Sequence, residues 1–259
     1  MPTPFYHLKS AEDLLNGKFL PVPLRSFLID QRAAFLFGSV APDVQVISGQ
    51  ARSSTHFFDL PLRNNESLPW ETIENRYPEL SESLHLKTAK DAFLAGYLCH
   101  LQADWLWVSE IFIPIFGLDN RWGTFSHRQY LHNVLRAYLD KQLLPKISQD
   151  TVIQLAQASP RDWLPFVMDE RLCEWRDFLV AQLCPGGQIQ TVEVFADRQG
   201  ISPDLYYQAL ESEELMDCEV FSRINRQSLD YYYQKLILKN QELIKYRFIN
   251  SIFPIMIGA

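Results

Sequence analysis

Cysteine is scarce and unpatterned: Cys99, Cys173, Cys184 and Cys218 are scattered along 259 residues with no CxxC spacing. A disulfide framework is therefore a poor description of the chain, and a reducing compartment is the better expectation. Positive charge is also short, with 24 Lys and Arg against 31 Asp and Glu and a formal net charge of −7. A chain so balanced lacks the broad cationic footprint that duplex nucleic acid demands, which argues against DNA or RNA duplex as a partner. No run approaches the roughly 20 apolar residues of a transmembrane helix. The opening MPTPFYHLKSAEDLL has neither the basic nor the apolar region of a secretory signal. The expectation is a cytoplasmic protein without a spanning segment; the apolar tail over 248–259 is expected to pack on the core, with peripheral membrane contact as the alternative.

What is present is helical. The composition, 47% hydrophobic and 21% charged, suits a globular protein with a full core. Ser10 and Asp13 have capping-box spacing before a short helix over 11–15. Residues 24–37 read as one apolar helix stopped by Gly38 and Pro42. Residues 45–78, with recurring Ser, Asn, Pro and Arg, read as a long ordered loop. Residues 88–113 lack proline and are apolar nearly all round, which predicts a central buried helix ending at Pro114. Further helices are expected over 124–144, 151–158, 161–183, 203–210 and 219–249, while the β-branched stretch 189–196 suits strand or helix. The expected class is all-α, a multi-helix bundle around the central helix. Cys184-Pro185-Gly186-Gly187 marks the expected boundary between a domain over 1–184 and a C-terminal helical extension over 185–259.

The central helix carries the chemistry. Asp104 is the one formally charged residue between Asp91 and Glu110. A carboxylate buried there needs a cation or a dense set of donors, since leaving it unpaired costs several kcal/mol. His100 lies one turn earlier on the same face, and imidazole with carboxylate at i,i+4 suits zinc. Gly96, another turn back, permits a neighbouring element to approach closely. The alternative is that His100 bonds a backbone carbonyl while Asp104 pairs with an arginine. Asp43 after proline also fits a plain turn, His56 in Thr55-His56-Phe57-Phe58 fits a packed core histidine, and His7 before the expected first helix fits an exposed one.

Taken in order, His7, Phe37-Gly38-Ser39-Val40-Ala41-Pro42-Asp43, Thr55-His56-Phe57-Phe58 and Gly96-Tyr97-Leu98-Cys99-His100-Leu101-Gln102-Ala103-Asp104 resemble the zinc-dependent phospholipase C family, whose architecture is related to that of the P1-type nucleases. The resemblance covers about the first half of the chain. It implies an α-helical fold around one to three zinc ions and hydrolysis of a phosphodiester by a metal-activated water. Asp43, His56, His100 and Asp104 would surround one zinc, Asp104 would bridge toward a second, and His7 would serve that second metal. Asp43 falls where the family's general base is expected. Arg52, four residues before His56, offers a guanidinium suited to clamp phosphate.

The pattern also departs from the family. The amino-terminal tryptophan ligand and a downstream HxxxE pair are absent. Glu110 stands near the position of a further histidine. Of the two later histidines, His127 lines up with Leu131 and Val134 and is expected to face the core, with His132 on the flank. Glu110 and His127 complete the candidate ligand set, and His85 is expected at the surface. Two readings follow: a metal-dependent phosphoric ester hydrolase acting on a small phosphate ester or phospholipid headgroup, or a catalytically weak metal-binding relative serving as a binding or structural module.

Overall fold

The computed structural model describes residues 1–18, 20–62, 67–81 and 85–248, and among them there is no strand. The helices, in chain order, are α1 (Pro4–Asn16), α2 (Val22–Asp30), α3 (Arg32–Gly38), α4 (Gln45–Ser48), α5 (Arg52–His56), α6 (Pro69–Arg76), α7 (Pro78–Ser81), α8 (Ala89–Trp107), α9 (Phe125–Leu143), α10 (Gln149–Gln157), α11 (Asp169–Leu183), α12 (Thr191–Gln199), α13 (Pro203–Glu211), α14 (Glu213–Leu215) and α15 (Arg226–Arg247). The all-α architecture is the one expected. The tail over 249–259 lies outside the described residues; Phe248 itself is buried, its ring 6.1 Å from Phe27.

Capping chemistry places the ends. Thr88 accepts from the Asp91 amide while Asp91 accepts from that of Thr88, a reciprocal box that starts α8. Thr124, Ser148, Ser202 and Asn225 cap α9, α10, α13 and α15. At α1 the start lies earlier than Ser10 and Asp13 suggest. Thr3 caps the helix with Pro4 in its first turn, and the Ser10 hydroxyl bonds back to the His7 carbonyl at 2.8 Å inside it. His7 is therefore a helical, buried residue.

Several other expectations are corrected. The helix expected over 24–37 breaks at Gln31 into α2 and α3. The stretch 45–78 is not one loop: a 3-10 turn at Ala41–Val44 runs into α4, and α5, α6 and α7 follow as short helices between Gly and Pro breaks. Pro160 delays the next helix to Asp169, where α11 begins. The β-branched stretch becomes helix α12. Finally, α8 does not run on to Pro114 as an α-helix. From Val108 to Phe116 the backbone winds as a π-helix with Pro114 inside it, and a second π-segment covers Met216–Phe221.

α8 is the axis of the molecule. α3 packs against it, α10 backs α3, α11 packs on α10 and on the 3-10 turn at Ala41–Val44, and α1 and α15 close another side. One apolar cluster gathers Phe35, Phe37, Phe93, Tyr97 and Trp175 around α3 and α8. A second gathers Tyr6, Trp107, Leu135, Tyr206 and Tyr232 around the π-segment, α9, α13 and α15. His100 and Asp104 sit on α8 where these two cores meet. No helix among the described residues is long and apolar enough to cross a membrane.

Candidate metal centre

The site begins with two glycines. A Cβ at Gly96 would stand 2.2 Å from the Phe35 carbonyl oxygen, and one at Gly38 would stand 2.0 Å from that of Phe93. Only glycine at both positions lets α3 and α8 cross backbone to backbone. The crossing brings the Ser39 carbonyl to 2.8 Å from His100 Nδ1. Because a carbonyl can only accept, Nδ1 carries the proton, and in the neutral ring Nε2 keeps a lone pair. That orientation by a partner outside the ligand set is the usual arrangement for a metal-binding imidazole.

His56 comes in at the end of α5. Its backbone is set by Phe57, whose φ of 62° turns the chain left-handed directly after the helix, and by Tyr97, whose hydroxyl donates to the Thr55 carbonyl. Thr55 Oγ1 lies 3.0 Å from His56 Nδ1, leaving Nε2 for the site. There His56 Nε2 is 3.3 Å from His100 Nε2, 3.3 Å from Asp104 Oδ2 and 3.5 Å from Asp43 Oδ1. Asp43 is delivered by the 3-10 turn after Pro42, and Trp175 holds that turn by donating to the Val40 carbonyl at 2.8 Å. His7 arrives from α1, its ring stacked on His100 at 3.7 Å between centroids and its Nε2 3.3 Å from Asp104 Oδ1.

Five expected ligands, His7, Asp43, His56, His100 and Asp104, therefore converge. Their donor atoms form two groups of metal-binding compactness: His7, His100 and Asp104, and Asp43, His56 and His100. Arg52 is in the same cluster but in another role. Its Nη2 donates to Asp104 Oδ2 at 2.5 Å while the guanidinium lies 4.5 Å above the Phe58 ring.

The electrostatics leave the cluster short of positive charge. Burial alone would raise the Asp43 carboxyl, but the imidazoles of His100 and His56 outweigh it and hold the group at about 2. Burial acts the same way on Asp104 and is again overcome, by His7, His100 and Arg52, so that it stays ionised well below the usual carboxylate range. Burial first, then the charge of Arg52, lowers His56; burial and then His7 lower His100 to about 3. Two carboxylates thus face one permanent cation, the Arg52 guanidinium, and imidazoles at His56 and His100 whose hold on a proton burial weakens. Asp104 Oδ1 and both ring nitrogens of His7 are buried without a hydrogen-bond partner. An unpartnered carboxylate oxygen beside an unpartnered imidazole, in a cluster with a residual negative charge, is what a divalent cation satisfies, and imidazole nitrogen with carboxylate oxygen is a zinc donor set.

The sequence model of the family described as zinc dependent phospholipase C matches residues 3–167. The chain belongs to this family. A search of curated proteins and a search of solved structures each gave no match. The family's zinc dependence agrees with the two His/Asp groups able to hold a metal ion.

Two expected ligands of this zinc-dependent family member stand apart from the cluster. Glu110 lies on the π-segment that follows α8, six residues past Asp104 and so off its face at helical spacing, and its Oε1 pairs with Lys235 Nζ at 2.6 Å. His127 is exposed and His132 buried, the reverse of the expectation. The cause is Arg128, which points inward and donates to the Phe116, Leu118, Trp122 and Gly123 carbonyls. With position 128 inside, helical spacing puts 132 and 135 inside and 127 outside. His132 accepts from Trp107 Nε1 at 2.8 Å, and burial lowers its basicity well below the usual imidazole range. His85 is exposed, as expected.

Sequence reasoning passed over the residues that orient the ligands. Ser39 and Thr55 hold His100 and His56, yet a backbone carbonyl gives no signal in the residue type. Thr55 directly beside His56 was a legible cue. So was Thr3-Pro4, whose cap-then-proline order places His7 inside a helix.

Proposed function

We propose that this member of the zinc-dependent phospholipase C family is a phosphoric ester hydrolase that cleaves a phosphodiester at the cluster of His7, Asp43, His56, His100 and Asp104. The single observation that carries the reading is a pair of ionised carboxylates, Asp104 buried and Asp43 half-buried, opposed by one guanidinium and surrounded by imidazoles whose free nitrogens converge. Bound zinc would supply Lewis-acid charge and a water acidified toward neutral pH. The chain's own residues do the rest. His100, locked by Ser39, and His56, set by Thr55, present Nε2 lone pairs in fixed positions. Asp104 joins the two ligand groups through separate oxygens, Oδ1 toward His7 and Oδ2 toward His56. Asp43, ionised and with a side chain 15% exposed, is the carboxylate that reaches the outside and is placed to take a proton from an attacking water. Arg52 spends Nη2 on Asp104 and retains other N–H groups for a phosphoryl oxygen.

A second reading has its own observation. Glu110 and His127 lie away from the cluster, so the family's further ligands are missing and the protein would be a metal-binding module with weak or no turnover. Zinc content per chain and diesterase turnover on a chromogenic phosphodiester separate the two. The hydrolase predicts bound zinc and a turnover that falls in Asp104→Asn by more than the roughly 10–100-fold that loss of a ligand's orienting partner costs. Tightly held zinc with no turnover in the wild type would establish the module instead.

A further inference from the structure

Asp43 also lines a cavity of about 70 Å³, walled by the segment Pro2–Phe5, Trp175 and Phe195 and by two arginines, Arg136 and Arg198. Arg136 is fixed: Nη1 donates to the Met1 carbonyl at 3.0 Å, Nη2 to Asn133 Oδ1, and Cζ lies 4.1 Å over the Phe195 ring. Its Nε is buried with no hydrogen-bond partner. Arg198, at the end of α12, is exposed, and neither arginine forms an ion pair with a carboxylate among the described residues. The two cations are near enough to work against each other: burial first, then Arg198, brings Arg136 down to about 10.

Arg136 and Arg198 outnumber Asp43, the one carboxylate on the cavity wall and already shared with the histidine cluster, and planar forks of N–H donors match oxyanions bidentately. The cavity has the volume of a compact ionic group and not of an acyl chain. Asp43 belongs both to the cavity wall and to the metal cluster, so the two adjoin. We propose that this cavity binds an oxyanion on the ester arm of the substrate, so that the protein selects phosphodiesters whose alcohol portion carries a phosphate or carboxylate over those carrying a quaternary ammonium. The proposal rests on the diesterase reading for its substrate, but the anion site itself does not require turnover.

The test uses the full chain loaded with zinc and three p-nitrophenyl diesters whose second arm ends in a phosphate, a hydroxyl or a trimethylammonium. The kcat/KM ratio of phosphate-armed to trimethylammonium-armed diester is expected to exceed about 10, to fall at least several-fold in Arg198→Gln, and to invert in Arg198→Glu, with the change carried by KM. A ratio near 1 in the wild type, or one unmoved by either variant, overturns the proposal. If no diester is cleaved, the diesterase reading fails and the cavity is read by equilibrium binding of inorganic pyrophosphate to the zinc-free chain. Binding weakened at least 5-fold in Arg198→Gln supports the anion site; equal binding by wild type and variant, or none by either, overturns it.

Discussion

At the scale of single residues, Arg52 and a divalent cation draw on the same acceptor. Asp104 Oδ2 takes the Arg52 N–H at 2.5 Å and faces His56 Nε2 at 3.3 Å. Without metal, the guanidinium is the permanent positive charge beside a carboxylate that is 1% exposed. Removing one partner of a buried pair costs about 3–5 kcal/mol, a figure to be lowered here because the Arg52 side chain is itself 23% exposed. With zinc bound, the carboxylate no longer depends on arginine. Arg52→Gln is therefore expected to destabilise the zinc-free protein by about 1–3 kcal/mol and the zinc-loaded protein by much less, which thermal melts of the two forms would read as a larger zinc-induced rise in Tm for the variant. An equal loss in both forms would reduce Arg52 to its packing on Phe58. Acid acts on the same cluster. His100 is lowered to about 3 by burial and His7, so in the zinc-free protein its contribution to stability is intact above the imidazole's ordinary range near 6.5 and is lost as pH falls toward 3.

Among elements, the crossing of α3 and α8 decides whether there is a site at all. Gly96 was legible as a point of close approach, because it stands one turn before His100 on the face that also bears Asp104. The i,i+4 spacing of His100 and Asp104 was likewise visible in the residues. What lay hidden was the partner element: the short helices between Gln45 and Ser81 have too few residues to show a 3.6-residue period, so α5, which carries His56, read as loop. The π-segment after Trp107 was hidden for a different reason: an apolar run looks the same in α and π winding. Gly96→Ala would put a Cβ 2.2 Å from the Phe35 carbonyl oxygen and 2.8 Å from the Ser39 amide nitrogen, backbone atoms that cannot swing aside. The helices must separate, at a cost of about 1–3 kcal/mol or more, and Ser39 must draw away from His100. The expected result is a folded but less stable protein whose zinc affinity falls at least about 10-fold, the size of effect seen when a ligand's orienting partner is lost. Unchanged zinc affinity in a destabilised variant would show that the crossing supports the fold without orienting the ligand.

For the molecule as a whole, Asp140 ties together three parts that are distant in sequence. From α9 it accepts the Thr3 hydroxyl that caps α1 and, at 2.6 Å, the Thr191 hydroxyl that opens α12. The segment bearing His7, the helix bearing Arg136 and the helix bearing Arg198 are thereby held to one buried carboxyl. Burial raises that carboxyl to about 7 against the opposing pull of the Thr191 and Thr3 hydroxyls. Its folded value therefore lies above the ordinary range near 4, so the native state retains a proton that the unfolded chain releases. The stability this group contributes is complete below pH 4, declines as pH rises, and is gone above pH 7, a change on the order of a few kcal/mol. Asp140→Asn keeps the shape and an acceptor while removing the titration. The difference in Tm between Asp140→Asn and wild type should then move in favour of the variant from pH 4 to pH 7 and level off above it. A difference that stays flat across that window would mean that Asp140 is ionised throughout and that its two threonine donors, rather than a retained proton, keep the three parts together.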